Sequence, residues 1–293
     1  MIPSHLHRLF PRSVLSALSF LLLPHFGVAQ SILRTAGDFS LLGGSAISST
    51  PATGTVISHG NVGLSPTGES AITGFGPAVV NFGVIVATGS TTALARSDFI
   101  AASAGLAAMT GGTNLTGLDL GGRTLTSGVY RFDTTAGLTG SLILDAQGQN
   151  NAFWVFQIGT SLTTAASASV TFANLGSNNG SDLGLFWNTG TTITIGANNI
   201  VAGNYLSGSS FSVGNNSGGS ARALALSAIT LDQTTLDAWG GPGGGDLTGG
   251  LTFGPGGNVT AIPEPATNTV LAALGALALC LYSRRARTSL IRG

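Results

Sequence analysis

The sequence predicts an all-β body built of stacked strand coils with one α-helix packed alongside, and three observations predict it. Charged residues are 8% of the 293, while 45 are glycine, a composition suited to short strands joined by tight turns and far from the quarter charged that surface helices carry. The segments Thr192-Ile193-Thr194-Ile195, Ser210-Phe211-Ser212-Val213 and Ala228-Ile229-Thr230-Leu231 recur at steps of 18 residues. A single stretch, 91–109, has a helical period.

The recurrence justifies the strands. Side chains alternate along a strand, so Ile193, Ile195, Phe211, Val213, Ile229 and Leu231 can share an inward face while Thr192, Thr194, Ser210, Ser212 and Thr230 share an outward one. Leu206 and Leu224 keep the same step. A fixed period of this length predicts coils that each bury an apolar side against the next. In the helix, Ala95, Phe99, Ala102, Leu106 and Met109 fall on one stripe at steps of three and four. Phe153, Trp154, Val155, Phe156 and Ile158 are apolar on both faces, which predicts a strand covered from outside as well as from within. The helix is the expected cover, and Trp187 is expected in the core.

Charge and chemistry exclude several functions. All eleven basic residues are arginines, and between residues 30 and 262 only five of them (34, 96, 123, 131, 222) face ten acids. The mildly acidic body has no basic stripe for nucleic acid. His59 is the one histidine of that body and Cys280 lies beyond it, so no disulfide, metal cluster or cofactor is predicted. Solenoids also serve as polysaccharide lyases and hydrolases, for which Asp119, Arg123, Arg131, Asp133 and Asp145 are the candidates. Asp145, before Ala-Gln-Gly, reads as a turn residue, and Arg123 as a strand-edge charge.

The two ends read as addresses. Arg8 and Arg12, an apolar run from Val14 to Leu23, and the small residues Gly27 and Ala29 predict a signal peptide over 1–29, removed by signal peptidase. A body at 30–253 and a Gly/Pro linker at 254–262 follow. Pro263, Glu264 and Pro265 then precede an apolar stretch at 270–282, the arginines Arg284, Arg285 and Arg287, and a tail at 288–293. Residues 263–287 closely resemble the PEP-CTERM sorting signal. That resemblance implies transient anchoring in the inner membrane by a short transmembrane helix, cleavage by an exosortase-type enzyme, and release to the cell surface or medium.

The segments GRTLTSGVY (122–130), LDAQGQNNAFWVFQIGTSLTT (144–164), VGLSP (62–66) and SAITGF (70–75), with Phe186-Trp187, Gly203-Asn204 and 221–225, resemble the microbial ice-binding, or antifreeze-like, family. The resemblance implies a right-handed, discontinuous β-solenoid of triangular section with one helix alongside, and an ice crystal surface as partner. Two departures are Gly60-Asn61, where the family commonly has an acid after glycine, and the extra Gly, Ser and Asn of 206–220, which are expected to reshape a coil. Ice offers no charge to bind, so outward β-branched or small hydroxyl residues in fixed ranks suit it. The candidates are Thr192, Thr194, Ser210, Ser212 and Thr230, joined by Ser161 and Thr163. The alternative is an adhesive surface protein of the exopolysaccharide matrix.

Overall fold

The computed structural model describes residues 30–263 except 51–53, 76–79 and 87–88. The signal peptide, Glu264, Pro265, the apolar stretch 270–282, Arg284 and Arg285 lie outside the described residues. Among those described, no helix is long and apolar enough to cross a membrane.

Three faces run the length of a solenoid whose strands pair in parallel from coil to coil. One face is seven strands, in spatial order Ala136–Leu138, Leu162–Thr164, Ile193–Ile195, Phe211–Val213, Ala228–Leu231, Ala46–Ser49 and Ile72–Thr73. A second includes Gly128–Phe132, Phe153–Ile158 and Gly184–Thr189 and continues through the ends of Ile200–Ser207 and Gly218–Ala225 to Phe39–Gly43 and Asn61–Leu64. The third includes Thr124–Thr126, Ser141–Asp145, Ser169–Ala173, Thr235–Asp237 and Val56–Ser58. Because Ile200–Ser207 and Gly218–Ala225 turn a corner without breaking, the second and third faces form one continuous sheet.

The order of coils in space is not their order in the chain. Leu41 pairs with Ala223, Ala46 with Ala228 and Val56 with Thr235, so the first coils of the chain stack on the last. Helix α1, Ser90–Ala107, makes this possible. Its 18 residues span about 27 Å, some five or six rungs at about 4.8 Å each, and carry the chain back to the opposite end, where building resumes at Thr113.

The expected apolar stripe is the one α1 buries. Ala95, Phe99, Ala102 and Leu106 pack on Val155, Phe186, Leu206, Leu224 and Leu42, the outward side chains of the second face. Trp154, Phe156 and Ile158 point the other way into the solenoid core, so the doubly apolar strand is indeed covered on both sides. Inside, Tyr130, Phe156, Trp187 and Tyr205 stack rung on rung, with centroids 5.5, 4.1 and 5.8 Å apart. The indole N–H of Trp187 donates to the Ala202 carbonyl at 2.9 Å, which satisfies the buried donor.

The glycine-rich stretch 254–262 departs from the expected linker. Leu251–Phe253 and Val259–Ala261 form an antiparallel hairpin whose Leu251 and Val259 join the cluster beneath α1. Val259 lies so close to Gly105 that a Cβ there would meet its side chain at 2.6 Å, and this approach explains a glycine within the helix. Its turn glycines, Gly256 and Gly257, have positive φ, which marks a tight turn as readily as a linker.

Candidate functional site

On the seven-stranded face the pairing register places Gly137, Thr163, Thr194, Ser212, Thr230, Ser48 and Thr73 side by side on consecutive rungs. The neighbours of each along its strand point inward, as with buried Ile193 and Ile195 beside exposed Thr194. Ser161, Thr192 and Ser210 form a second rank two residues upstream. Their carbonyls accept bonds of 2.9 to 3.0 Å from the N–H groups of Ala136, Leu162 and Ile193, and Ala228 and Ala46 extend the row. All seven residues expected on the outward surface therefore lie on one face. Thr163, Thr194 and Thr230 are exposed, and Ser161, Thr192, Ser210 and Ser212 are half-buried.

Three parts of this surface lie outside the residues expected from the sequence. Ser48 and Thr73 come from the coils that return to the far end. A third rank, Thr134, Thr160, Thr191, Ser209, Ser227 and Ser45, is aligned by backbone bonds of 2.7 to 3.1 Å from rung to rung. Its signal was a hydroxyl residue after a corner glycine, in Gly159-Thr160, Gly190-Thr191, Gly208-Ser209 and Gly44-Ser45. Those corners need glycine because the next rung is too near for a side chain. A Cβ at Gly190 would lie 2.2 Å from the Gly159 carbonyl oxygen, and one at Gly208 would lie 2.3 Å from that of Gly190.

The three ranks contain no charged residue. Rungs about 4.8 Å apart and, between the first two ranks, alternate strand positions about 6.6 Å apart make a two-dimensional lattice of methyls and hydroxyls, which the third rank borders with the Thr160 hydroxyl buried. Threonine holds its hydroxyl in few rotamers. Among the described residues, no side-chain hydroxyl of the rank from Thr163 to Thr73 bonds to another protein group, so each is left to face water. The extra Gly, Ser and Asn of 206–220 do not reshape this face, because Ser210 and Ser212 hold register. Instead they build its corner, where Asn216 donates to Asn198 at 2.9 Å and Asn215 to Gln233 at 2.6 Å. Both Asn198 and Asn216 take positive φ, which asparagine tolerates.

The residues considered for catalysis serve as turn and corner supports. Asp119 Oδ1 accepts from the N–H groups of Gly121 and Thr139 at 2.7 and 3.0 Å and closes the low end of the seven-stranded face. Asp145 accepts from the Gln147 N–H at 2.8 Å and from Asn174 at 2.9 Å, as a turn residue does. Asp133 pairs with exposed Arg131 at 3.3 Å, and Arg123 donates to the Asp119 carbonyl. Among the described residues no group of three His, Cys, Asp or Glu could hold a metal ion.

Known proteins share this architecture. The ice-binding protein of the Antarctic ascomycete Antarctomyces psychrotrophicus superposes with a TM-score of 0.62 at 30% identity, over 69% of this chain and 95% of the other. A Shewanella frigidimarina ice-binding protein domain, at 24% identity, shares the fold with a TM-score of 0.63 over 70% of this chain and 95% of that one. In sequence, an ice-binding protein of Nostoc sp. (strain HG1) is 43% identical over 177 residues, which are 60% of this chain and 62% of that protein. One of Flavobacterium frigoris (strain PS1) is 26% identical over 42% of each. The chain thus spans less than two thirds of the curated relatives it matches. The model of the ice-binding-like family matches residues 41–237, from the first coil to the last strand of the third face, and the chain belongs to that family.

Proposed function

We propose that this is an exported ice-binding protein, without enzymatic activity, that holds ice through the seven-stranded hydroxyl face. The observation that carries the reading is the unbroken rank from Thr163 to Thr73, uncharged and in register over six rungs that begin and end with residues from opposite halves of the chain. Ice is recognised by area: many small groups, each weak, order water together, and fixed ranks incur little entropy loss when they do so. The third face fits this less well, since Asp145 and Asp237 interrupt it and Ile143 and Ile200 protrude from it. The names of the relatives support ice as the partner. The test is ice-affinity partitioning of purified protein, with enrichment in the frozen fraction expected and an even distribution between ice and liquid contradicting the reading.

The ends support a surface or extracellular setting reached through signal peptidase and an exosortase-type enzyme, with transient anchoring by 270–282. Matrix exopolysaccharide is compatible with the same location. Intact-mass measurement of protein recovered from cells is expected to show loss of residues up to about Ala29 and from near Pro263 onward. A chain still ending at Gly293 would contradict the processing.

A further inference from the structure

At the corner between the third and second faces, at the end of the stack built from the first coils, three aromatic rings stand on neighbouring rungs. Asp237 pairs with Ser58 and Ser58 with Asn81, which sets His59 and Phe82 one residue further on, beside Trp239. The His59 and Phe82 rings stack at 5.0 Å and 9°, and those of His59 and Trp239 lie 6.3 Å apart at 24°. Phe82 is 85% exposed and Trp239 57%. Neither contributes to a core, and contiguous exposed apolar surface of this kind marks a binding site.

The backbone reinforces that conclusion. His59 and Phe82 have φ of 54° and 55°. Elsewhere four asparagines, two glutamines, Arg34, Ser167 and Leu247 take the left-handed conformation, of which the asparagines tolerate it well. Histidine is also tolerated there, but a phenylalanine costs roughly 1–3 kcal/mol, so the Phe82 rung presents its ring against local preference. A single carboxylate then fixes the arrangement: Asp237 Oδ1 accepts from His59 Nδ1 at 3.0 Å and from the Trp239 N–H at 2.9 Å. The rings border a cavity of about 340 Å³ shared with Asp38, Gly60 and Asn61. Asn61 Oδ1 accepts from the Val84 N–H at 3.1 Å, which leaves its amide N–H groups as donors, and the exposed Asp38 carboxylate supplies acceptors.

We propose that this corner is a glycan subsite for a neutral hexose ring of an extracellular polysaccharide. A pyranose has an apolar C–H face that lies against aromatic surface and a rim of hydroxyls that both donate and accept, the combination that Phe82, Trp239, His59, Asn61 and Asp38 present. The lining has one carboxylate, Asp38, with Asp237 behind His59, and no arginine, so a polyanionic chain is disfavoured. The site lies away from the hydroxyl face, so its failure and that of ice binding are separable.

Calorimetric titration with neutral β-glucan, α-glucan and β-galactan hexamers, with an alginate hexamer as the polyanionic control, tests the proposal. Saturable binding of at least one neutral hexamer is expected, weakened about tenfold or more by Phe82→Ala or Trp239→Ala and retained by Trp239→Phe. Ice partitioning and melting temperature are expected to stay unchanged in all three variants. Absence of binding to every neutral hexamer would overturn the proposal. So would alginate binding as strongly, or a dimer in sedimentation that Phe82→Ala dissolves while no glycan binds.

Discussion

Replacing Thr194 by tyrosine is expected to remove most thermal hysteresis and ice partitioning, while the melting temperature moves by no more than about 2 °C, as for a surface substitution worth roughly 0.5 kcal/mol. Thr194 is exposed and sits between Thr163 and Ser212 on neighbouring rungs. A ring projecting there holds the ranks on both sides away from the lattice, so contacts made by many small groups are lost together. The same substitution at Ser48, far from Thr194 in the chain but only two rungs beyond Ser212, is expected to have a similar effect. Activity retained in both variants would reject this face. An inward change, such as Ile193→Ala, is expected to act through stability instead, at about 2–5 kcal/mol.

Truncating Arg222 to alanine is expected to lower stability by about 3–5 kcal/mol, read as an earlier denaturant midpoint and a melting temperature lower by roughly 6–20 °C. The side chain is 1% exposed and fastens three segments. Its guanidinium donates to the Gly37 carbonyl at 2.9 Å, to the Asp246 carbonyl at 3.3 Å, and to the Asn204 side chain on the neighbouring rung. Asn204 in turn donates to the Leu185 and Leu247 carbonyls at 3.1 and 2.7 Å. Burial pushes the guanidinium pKa down, and Asp246 followed by Asp38 opposes that shift. Without the arginine these acceptors stay buried and unsatisfied, at the join between the returning first coil and the C-terminal cap. A midpoint within about 1 kcal/mol of wild type would show that water replaces it.

The legible parts of the sequence were those governed by local periodicity. Helix α1 was placed within two residues at each end because its buried stripe follows the 3.6-residue period. The 18-residue step was visible where coils carry no insertion, so Thr194, Ser212 and Thr230 fell into line. Between Thr163 and Thr194 the step is 31 residues, because 174–183 loops out before the next strand. Ser48 and Thr73 reach the same rank only through the return made by α1, which no linear spacing reveals. His59 read as a lone histidine because Asp237 lies 178 residues away. The glycines of 254–262 read as a linker, since nothing local shows the Val259 contact that packs the hairpin onto the helix.

The most direct test of the account is ice-affinity partitioning of two tyrosine variants in one experiment, Ser212→Tyr on the hydroxyl face and Thr171→Tyr on the exposed side of the third. The Ser212 variant is expected to remain in the liquid while the Thr171 variant enters ice as wild type does. Loss with Thr171→Tyr and retention with Ser212→Tyr would contradict it and assign ice to the other face.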